Sequence, residues 1–368
     1  MVKRLVIAAI LLTVVLSLVP TFQWAQEQRP PTFRVEVNMV LLSIAVTDKK
    51  GNYVSGLEPW DFEIYEDDIK QNLATFAEGN RIPQKVTEFT QTESKPVLVR
   101  PFSLKRRAQP PAGTPQALPQ DQSTDALFGQ IAGASVFILF DTSNYMYRGF
   151  VYAQDAISDF VRFLDRPDRV ALYSFSRDMK RVAPMSPDRQ AVLTAMRNTV
   201  AGDDVALYNA LLLTLRDAVK LSGRKVIVVF SNGPDNASMV APESVREVAQ
   251  AEGVPIYMIS TQEATHDPVS TTVFTRMSSS TGGNAYFAKS WQQQQRAFNL
   301  IREELAHLYL LSYYPQANPN HGWRRITVKL VGDQMKRFQT RTRSGYRPTP
   351  ARVSGDVEGS GRQTGQVP

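Results

Sequence analysis

The segment FDTSNYMYRG, residues 140–149, contains the residues whose types and spacing best suit metal chemistry. It follows an apolar run, SVFILF, that is typical of a buried strand. An aspartate and a serine two positions apart, directly after such a strand, offer oxygen ligands to a hard cation such as Mg²⁺. The next hydroxyl at this spacing belongs to Tyr145, where a serine is expected. The segment therefore predicts either a metal site or the altered remains of one.

The composition and motifs give little support for a disulfide, a zinc site or a catalytic site. The chain of 368 residues has no cysteine, which excludes disulfides, thiolate nucleophiles and thiolate metal ligands. Its three histidines, His266, His307 and His321, are too far apart in sequence to suggest a zinc site. No nucleophile elbow, His-Glu-x-x-His motif or phosphate-binding glycine loop occurs. The sequence therefore predicts a protein that is not an enzyme.

The N-terminus carries the pattern of an export signal. The basic start MVKR precedes a mostly apolar run over residues 5–19 and then Pro20. The run is shorter than the ~20 apolar residues that a spanning helix needs. Residues 1–25 are predicted to be a signal peptide or an N-terminal anchor. Either alternative places the rest of the chain outside the cytoplasm, whether secreted, periplasmic or anchored to the membrane.

The net charge of +7 is concentrated near the C-terminus. Residues 324–347 hold eight Lys or Arg and one acid, Asp333. One interpretation is a solvated face of a β-hairpin. The other is an anionic partner surface, bound through Arg324, Arg325, Arg341 and Arg343. Nucleic acid is not expected outside the cytoplasm.

The elements that must position the 140–149 segment follow from the hydrophobic pattern. From 133 to 312, short apolar runs alternate with amphipathic segments, which predicts an α/β fold: a doubly wound, mainly parallel sheet with helices on both faces. Five further segments complete the prediction. They are the signal or anchor at 1–25, a small β-sandwich-like domain at 33–90, a Pro-rich linker at 91–132, a C-terminal β-hairpin at 313–348 and a disordered tail at 349–368.

The order of several motifs resembles a von Willebrand factor A domain. DTSNYM resembles the family's Asp-x-Ser-x-Ser loop, DDVALYNAL its second loop and helix start, and KVIVVFSNGPDN its strand ending in Thr-Asp-Gly. The flanking segments narrow the resemblance to exported bacterial von Willebrand factor A-related proteins, over roughly residues 33–348. The resemblance implies this fold and an adhesion site that binds Mg²⁺ at the carboxyl ends of the strands.

The implied metal site is altered at three of its five positions. Asp141 and Ser143 match the first aspartate and hydroxyl. Tyr145 replaces the second hydroxyl, Val205 the threonine and Asn232 the second aspartate. Each change weakens the binding of a hard cation. A phenol oxygen reaches beyond the site, valine has no side-chain oxygen, and an amide brings no charge. We therefore expect no cofactor.

Three functional hypotheses remain. The first is an exported protein-interaction module, independent of metal, whose ligand-binding face holds Asp141, Ser143, Tyr145, Val205 and Asn232. Tyr145, Met146 and Tyr147 would form its soft aromatic rim, or else pack under the neighbouring loop. The second is a Mg²⁺-dependent adhesion or capture protein with a distorted site, in which Asp203 or Asp204 substitutes for the missing carboxylate, so that Asp141, Ser143 and Asp204 are the metal ligands. The third is a structural or assembly component of the envelope that uses the basic C-terminal hairpin.

Overall fold

The computed structural model describes residues 34–35, 39–89, 96–100, 133–165, 168–261, 267–348 and 353–354. The predicted signal or anchor at 1–25 and most of the predicted linker and tail lie outside these residues. By contacts, the chain divides into one unit of residues 1–36 with 351–368 and a second of residues 37–350. Within the first unit, the strands Arg34–Val35 and Val353–Ser354 pair antiparallel.

The strands and helices of the described residues run as follows. The strands are β1 Arg34–Val35, β2 Val40–Thr47, β3 Tyr53–Ser55, β4 Phe62–Glu66, β5 Ile69–Gln71, β6 Leu73–Glu78, β7 Gln84–Lys85, β8 Val97–Val99, β9 Ala134–Asp141, β10 Arg169–Phe175, β11 Met179–Ser186, β12 Arg224–Ser231, β13 Ile256–Ser260, β14 Ala285–Phe287, β15 Tyr309–Tyr313, β16 Arg324–Leu330, β17 Gln339–Arg341, β18 Gly345–Tyr346 and β19 Val353–Ser354. The helices are α1 Phe150–Phe163, α2 Arg189–Arg197, α3 Leu207–Ala218, α4 Pro242–Ala251, α5 Pro268–Thr281 and α6 Trp291–His307.

A six-stranded sheet forms the α/β part, in the order β11-β10-β9-β12-β13-β14. All its neighbouring pairs are parallel except β10 with the edge strand β11. Strand β9 is buried along its whole length, because its alternate side chains enter two different cores. Val136, Ile138 and Phe140 pack with α1, α2 and α6, whereas Phe137 and Leu139 pack with α3, α4 and α5. Helices therefore cover both faces of a mainly parallel sheet, as the sequence predicted.

A β-sandwich forms the rest of the second unit. Its first sheet has the order β7-β6-β15-β2-β3-β8, with β17 also paired to β2, and its second has the order β18-β16-β4-β5. Apolar side chains of both sheets share one core, including Ile44 and Leu311 from the first and Ile64 and Ile326 from the second. The sandwich is therefore assembled from both ends of the chain.

This arrangement corrects the predicted domain boundaries. The domain predicted at 33–90 is incomplete alone, because β15 lies between β6 and β2 and pairs with both. The predicted linker supplies a strand too, since β8 pairs with β3. The α/β part ends with α6 at His307. Residues 309–312, assigned to it from sequence, belong with Tyr313 to strand β15 of the sandwich.

The predicted C-terminal hairpin forms only at its open end, where the start of β16 pairs antiparallel with β18. Strand β16 pairs with β4 in one sheet, whereas β17 pairs with β2 in the other. Between them, Gly332 adopts a left-handed φ of 102° and a 3₁₀ helix covers Asp333–Arg337. Met335 and Phe338 of this connection are buried in the sandwich core. The connection crosses from sheet to sheet because these two apolar side chains anchor it there.

The predicted anionic-surface arginines are mostly internal. Arg324 and Arg343 are 8% and 4% exposed, and Arg341 forms an ion pair with the buried Glu304. Only Arg325 is well exposed, and it forms an ion pair with Asp68 at 2.9 Å. The four arginines therefore do not form the predicted binding surface, because their guanidinium groups bind protein acceptors.

Among the described helices, none combines the length and the apolar composition needed to cross a bilayer.

Candidate functional site

The central strands β9 and β12 end side by side at one edge of the α/β sheet. The strand order places β10 on one side of β9 and β12 on the other. Open α/β sheets bind ligands at such a switch point, beyond the carboxyl ends of the strands. Strand β9 ends at Asp141 and β12 at Ser231, and the pairing of Phe140 with Phe230 sets these ends level. The fold thus brings Asp141 next to the Ser231–Asn232 segment.

Asp141 is fully buried and fixed by two hydrogen bonds. The backbone N–H of Ser143 donates to its Oδ1 at 2.9 Å, and the hydroxyl of Ser231 donates to its Oδ2 at 2.7 Å. Burial raises the pKa of the Asp141 carboxyl, and the hydrogen bonds from Ser231 and Ser143 oppose this rise only in part. Asp141 therefore caps the turn that follows β9 and also ties β9 to β12.

Three buried polar atoms beside this carboxylate have no hydrogen-bond partner. They are the hydroxyl oxygen of Ser143 and both amide atoms of Asn232. Buried polar groups without partners are rare, and each costs about 1–3 kcal/mol. This grouping distinguishes the position from an ordinary strand end.

Val205 lies in the apolar core that also contains α3. Its side chain is fully buried, which is worth about 1.5–3 kcal/mol for an aliphatic group of this size. Its backbone N–H donates to Asn236 Oδ1 at 2.8 Å, and its carbonyl accepts from the N–H groups of Asn236 and Ala237. Val205 therefore secures the loop after β12 and cannot contact a partner, contrary to the sequence prediction.

The described side chains do not fit a divalent cation at this position. Both oxygens of Asp141 already accept hydrogen bonds. Asp204 is directed elsewhere, since its Oδ2 lies 3.6 Å from Arg177 and its Oδ1 accepts from Asn236 at 3.4 Å. No three Asp, Glu or His side chains in the described part of the chain group together as metal ligands. One buried carboxylate with a hydroxyl and an amide brings too little charge to hold Mg²⁺ tightly.

The predicted ligand-binding residues are brought together, but most are hidden. Asp141, Ser143 and Asn232 are at most 1% exposed, whereas Tyr145 is 49% exposed. Met146, predicted to be part of a soft rim, is 1% exposed and packs in the core with α1. The buried residues shape the face, and Tyr145 is the one of the predicted set that a partner can reach.

Sequence reasoning missed Met239, which is 92% exposed. Its backbone N–H donates to Asn209 Oδ1 at 3.1 Å, and nearby Ser238 donates two hydrogen bonds to Asp235. The same Asp235 accepts from the N–H of Tyr208 in the first turn of α3. The only sequence signal was a single methionine in the turn-rich stretch SNGPDNASMV. The loop is held in place while the side chain of Met239 projects to solvent.

Further exposed apolar side chains occur at the same end of the sheet. They lie in the first turns of the helices that start there or in the loop between α2 and α3. They are Val151 (66%), Tyr152 (57%), Val200 (74%), Val269 (70%) and Trp291 (51%). The loop between α2 and α3 is joined to the loop after β9, since Gly202 N–H donates to the carbonyl of Thr142 at 2.7 Å. Together with Tyr145 and Met239, these side chains form what we call the apolar face.

The α/β part of the chain matches a known protein family. Residues 135–300 match the model of the von Willebrand factor type A domain. No curated protein sequence matches the chain. Among solved structures, the conserved hypothetical protein BatB from Bacteroides thetaiotaomicron is 18% identical, with a TM-score of 0.39, and the match covers 47% of this chain and 98% of that one.

Two further structures are similar at lower identity. A von Willebrand factor type A protein from Catenulispora acidiphila is 11% identical, with a TM-score of 0.41, and the match covers 55% of this chain and 64% of that one. The vWF domain of the type V pili tip protein Mfa5 from Porphyromonas gingivalis is 12% identical, with a TM-score of 0.38 and coverage of 46% and 94%. The family model rests on the segments that build the sheet and its central strand ends, and it confirms the resemblance drawn from DTSNYM and SNGPDN. The chain carries a von Willebrand factor type A domain at residues 135–300.

Proposed function

We propose that this chain is an exported interaction module of the cell envelope, and that its apolar face contacts a protein partner directly, without a divalent cation. The observation that carries the proposal is Met239. It is the most exposed large apolar side chain among the described residues, and its backbone is held by Asn209. A fixed loop loses little conformational entropy on binding, so such a side chain is a favourable anchor.

The composition of the face supports a protein partner. Tyr, Trp and Met are enriched in protein interfaces, and Tyr145, Trp291 and Met239 are each about half exposed or more. Four of the seven residues of the apolar face are valine or methionine and the other three are aromatic, which suits an apolar protein surface. The proposal assigns no catalytic role to this face.

The positions of the carboxylates near the strand ends support direct contact with a partner, without a bridging cation. In the metal-dependent adhesion sites that the family resemblance implies, the dication accepts a carboxylate from the partner. Here Asp141 is enclosed and bonded to Ser143 and Ser231, and Asp204 is directed to Arg177. A partner therefore meets the exposed side chains around Asp141 and not a metal above it.

Export is proposed from the N-terminal segment, which lies outside the described residues. Its basic start and apolar run are those of a signal peptide or an anchor. The same pattern supports assignment to the narrower group of exported bacterial von Willebrand factor A-related proteins. An envelope partner follows from that location.

Photo-crosslinking tests the proposal. A photoreactive amino acid replaces Val269 on the apolar face, and the full chain is irradiated in an envelope extract containing EDTA. We expect one crosslinked partner protein, lost when Met239→Asp and Tyr145→Ala are added. The matched control is Leu213→Asp, which alters an apolar side chain of α3 that is 42% exposed and lies outside the apolar face. It should leave the crosslink intact.

Two outcomes would contradict the proposal. If the crosslink requires Mg²⁺ and disappears in EDTA, the metal-dependent capture hypothesis is correct and direct contact is wrong. If Leu213→Asp removes the crosslink as fully as Met239→Asp, the apolar face is not the contact surface.

A further inference from the structure

A cluster of basic side chains forms at one end of the β-sandwich, from parts of the chain that are distant in sequence. Strand β2 ends at Thr47, which pairs with Tyr53 of β3 and with Gln339 of β17. Tyr53 in turn pairs with Val99 of β8. The residues just beyond these paired positions therefore converge. Those that are basic are Lys49, Lys50, Arg100, Lys336 and Arg337, and we call them the basic tip.

The charge of the basic tip is mostly unneutralised. All five side chains are exposed. Lys336 forms an ion pair with Asp333 at 2.7 Å. Lys49, Lys50, Arg100 and Arg337 have no ion pair within the described residues. The second carboxylate nearby, Asp48, accepts hydrogen bonds from Asn52 and from the Lys50 N–H. The tip thus has five cations and two nearby carboxylates, Asp333 and Asp48. Asp48 already accepts hydrogen bonds within its own turn.

The tip differs from the basic segment seen in the sequence. Arg324 and Arg343 are buried and Arg341 pairs with the buried Glu304. Lys49, Lys50 and Arg100, in contrast, come from the N-terminal third of the chain. The sequence pattern alone did not connect these two groups, because strand pairing is what brings them together. The positive surface is therefore a product of the sandwich.

Exposed aliphatic side chains lie beside these cations. Strand β8 is an edge strand, and Val97 and Leu98 on it are 58% and 47% exposed. They directly precede Val99 and Arg100, so apolar and basic groups occupy neighbouring positions on one edge. Soluble polyanions attract cations alone, whereas a bilayer interface also accepts aliphatic side chains below its charged headgroups.

We propose that the basic tip binds an anionic lipid surface, with Val97 and Leu98 entering the headgroup boundary. This surface belongs to the β-sandwich and the proposal is independent of the apolar face. The attraction between the basic side chains and the anionic lipid is electrostatic. It weakens when salt is raised, because the Debye length, about 10 Å at 0.1 M, becomes shorter. The apolar pair supplies the part of the binding that salt does not screen.

Vesicle co-sedimentation of the full chain tests this proposal. The vesicles are either pure phosphatidylcholine or a mixture with phosphatidylglycerol. The difference between the two removes the part of N-terminal binding that comes from the apolar run. The basic start MVKR is the same in every variant, so its contribution cancels when variants are compared. We expect at least about tenfold tighter binding to the anionic vesicles, and loss of that difference in a variant with Lys49→Glu, Lys50→Glu, Arg100→Glu and Arg337→Glu.

The matched control carries the same change in net charge. Its substitutions are Lys85→Glu, Lys180→Glu, Arg216→Glu and Arg276→Glu, at exposed cations outside the tip that have no ion pair within the described residues. Circular dichroism checks that both variants are folded. The control should keep binding within about threefold of the unaltered chain. Equal loss in both variants would show that only net charge matters and would overturn the assignment to the tip.

A second variant separates lipid from soluble polyanion. Val97→Ser with Leu98→Ser should weaken binding to the anionic vesicles several-fold and leave binding to soluble poly-glutamate unchanged. If both ligands bind equally well and neither responds to this variant, the tip recognises anionic polymers and the proposed lipid surface is wrong.

Discussion

Asp141 shows how a residue type seen in sequence takes its role from its surroundings. In the family resemblance it is a metal ligand, and here its two oxygens accept from Ser143 and Ser231. The other residues at the site do not supply ligands that could bind a cation together with Asp141. Val205 is buried and has no side-chain oxygen, and Asn232 has a neutral amide. The carboxylate therefore acts as an internal brace whose charged form is disfavoured by burial.

We predict that Asp141→Asn leaves the protein folded and raises its stability at neutral pH, on the order of 1 kcal/mol. Asparagine keeps an acceptor for the Ser143 N–H and can donate to the Ser231 hydroxyl, while the buried charge is removed. Urea unfolding at several pH values measures this effect. A resident dication would reverse the sign, because the variant would lose a charged ligand.

The pH dependence of this effect has a defined sign. Burial raises the folded-state pKa of Asp141 above its unfolded value of about 3.9. The folded state then binds more protons in this window, so the contribution of Asp141 to stability falls as pH rises from about 3.9 through the folded pKa. The advantage of Asp141→Asn should therefore be greatest at neutral pH and shrink on acidification. An advantage that grows on acidification would contradict this assignment.

The elements of the α/β part and of the sandwich are joined by arginines, of which Arg224 is buried and Arg341 is partly buried. Arg341 of β17 donates to the carbonyls of Gly282 and Gly283 at 2.5 and 2.6 Å, just after α5, and pairs with Glu304 of α6 at 2.6 Å. Arg224 at the start of β12 donates to the carbonyl of Gly79, which follows β6. These arginines fix one part of the unit against the other, which explains why they are not available to an anionic ligand.

We expect Arg341→Met to destabilise the protein by about 2–4 kcal/mol, because it leaves the Glu304 carboxylate buried with fewer partners. Arg325→Met is the matched control. Its ion pair with Asp68 is exposed and should be worth less than about 1 kcal/mol. Denaturant midpoints at constant m-value compare the two variants. Equal effects would show that Arg341 does not join the two parts.

At the scale of the whole molecule, the von Willebrand factor type A domain is inserted into the β-sandwich. Strand β15, which follows α6 directly, is the neighbour of both β2 and β6. A sandwich without β15 leaves two rows of unpaired backbone groups inside a sheet, and buried backbone groups require partners. The two parts are therefore coupled in folding although they look separate in sequence.

We predict that residues 33–90 alone do not fold, contrary to the domain boundaries expected from sequence. A chain that joins residues 39–100 to 308–348 through a flexible linker, replacing the α/β part, should recover strand structure. Far-UV circular dichroism and amide proton dispersion distinguish the two. Cooperative unfolding of the short fragment would show that β15 is dispensable.

The sequence by itself determined the α/β fold, because buried parallel strands and amphipathic helices leave strong local periodicities. It also located the altered site, since Asp141, Ser143, Tyr145, Val205 and Asn232 stand at motif positions that can be compared one by one. These properties depend on residues near one another in sequence or on a repeated pattern.

Only the tertiary structure decided which residues are exposed and which strands pair. Val205 and Met146 lie in the core, Met239 is exposed, and the segments 324–330 and 339–341 belong to different sheets. The sequence around a strand does not specify which distant strand pairs with it. The edge of a strand can accept any partner strand whose side chains fill the core. The basic tip and the insertion of one domain into another arise from that long-range pairing.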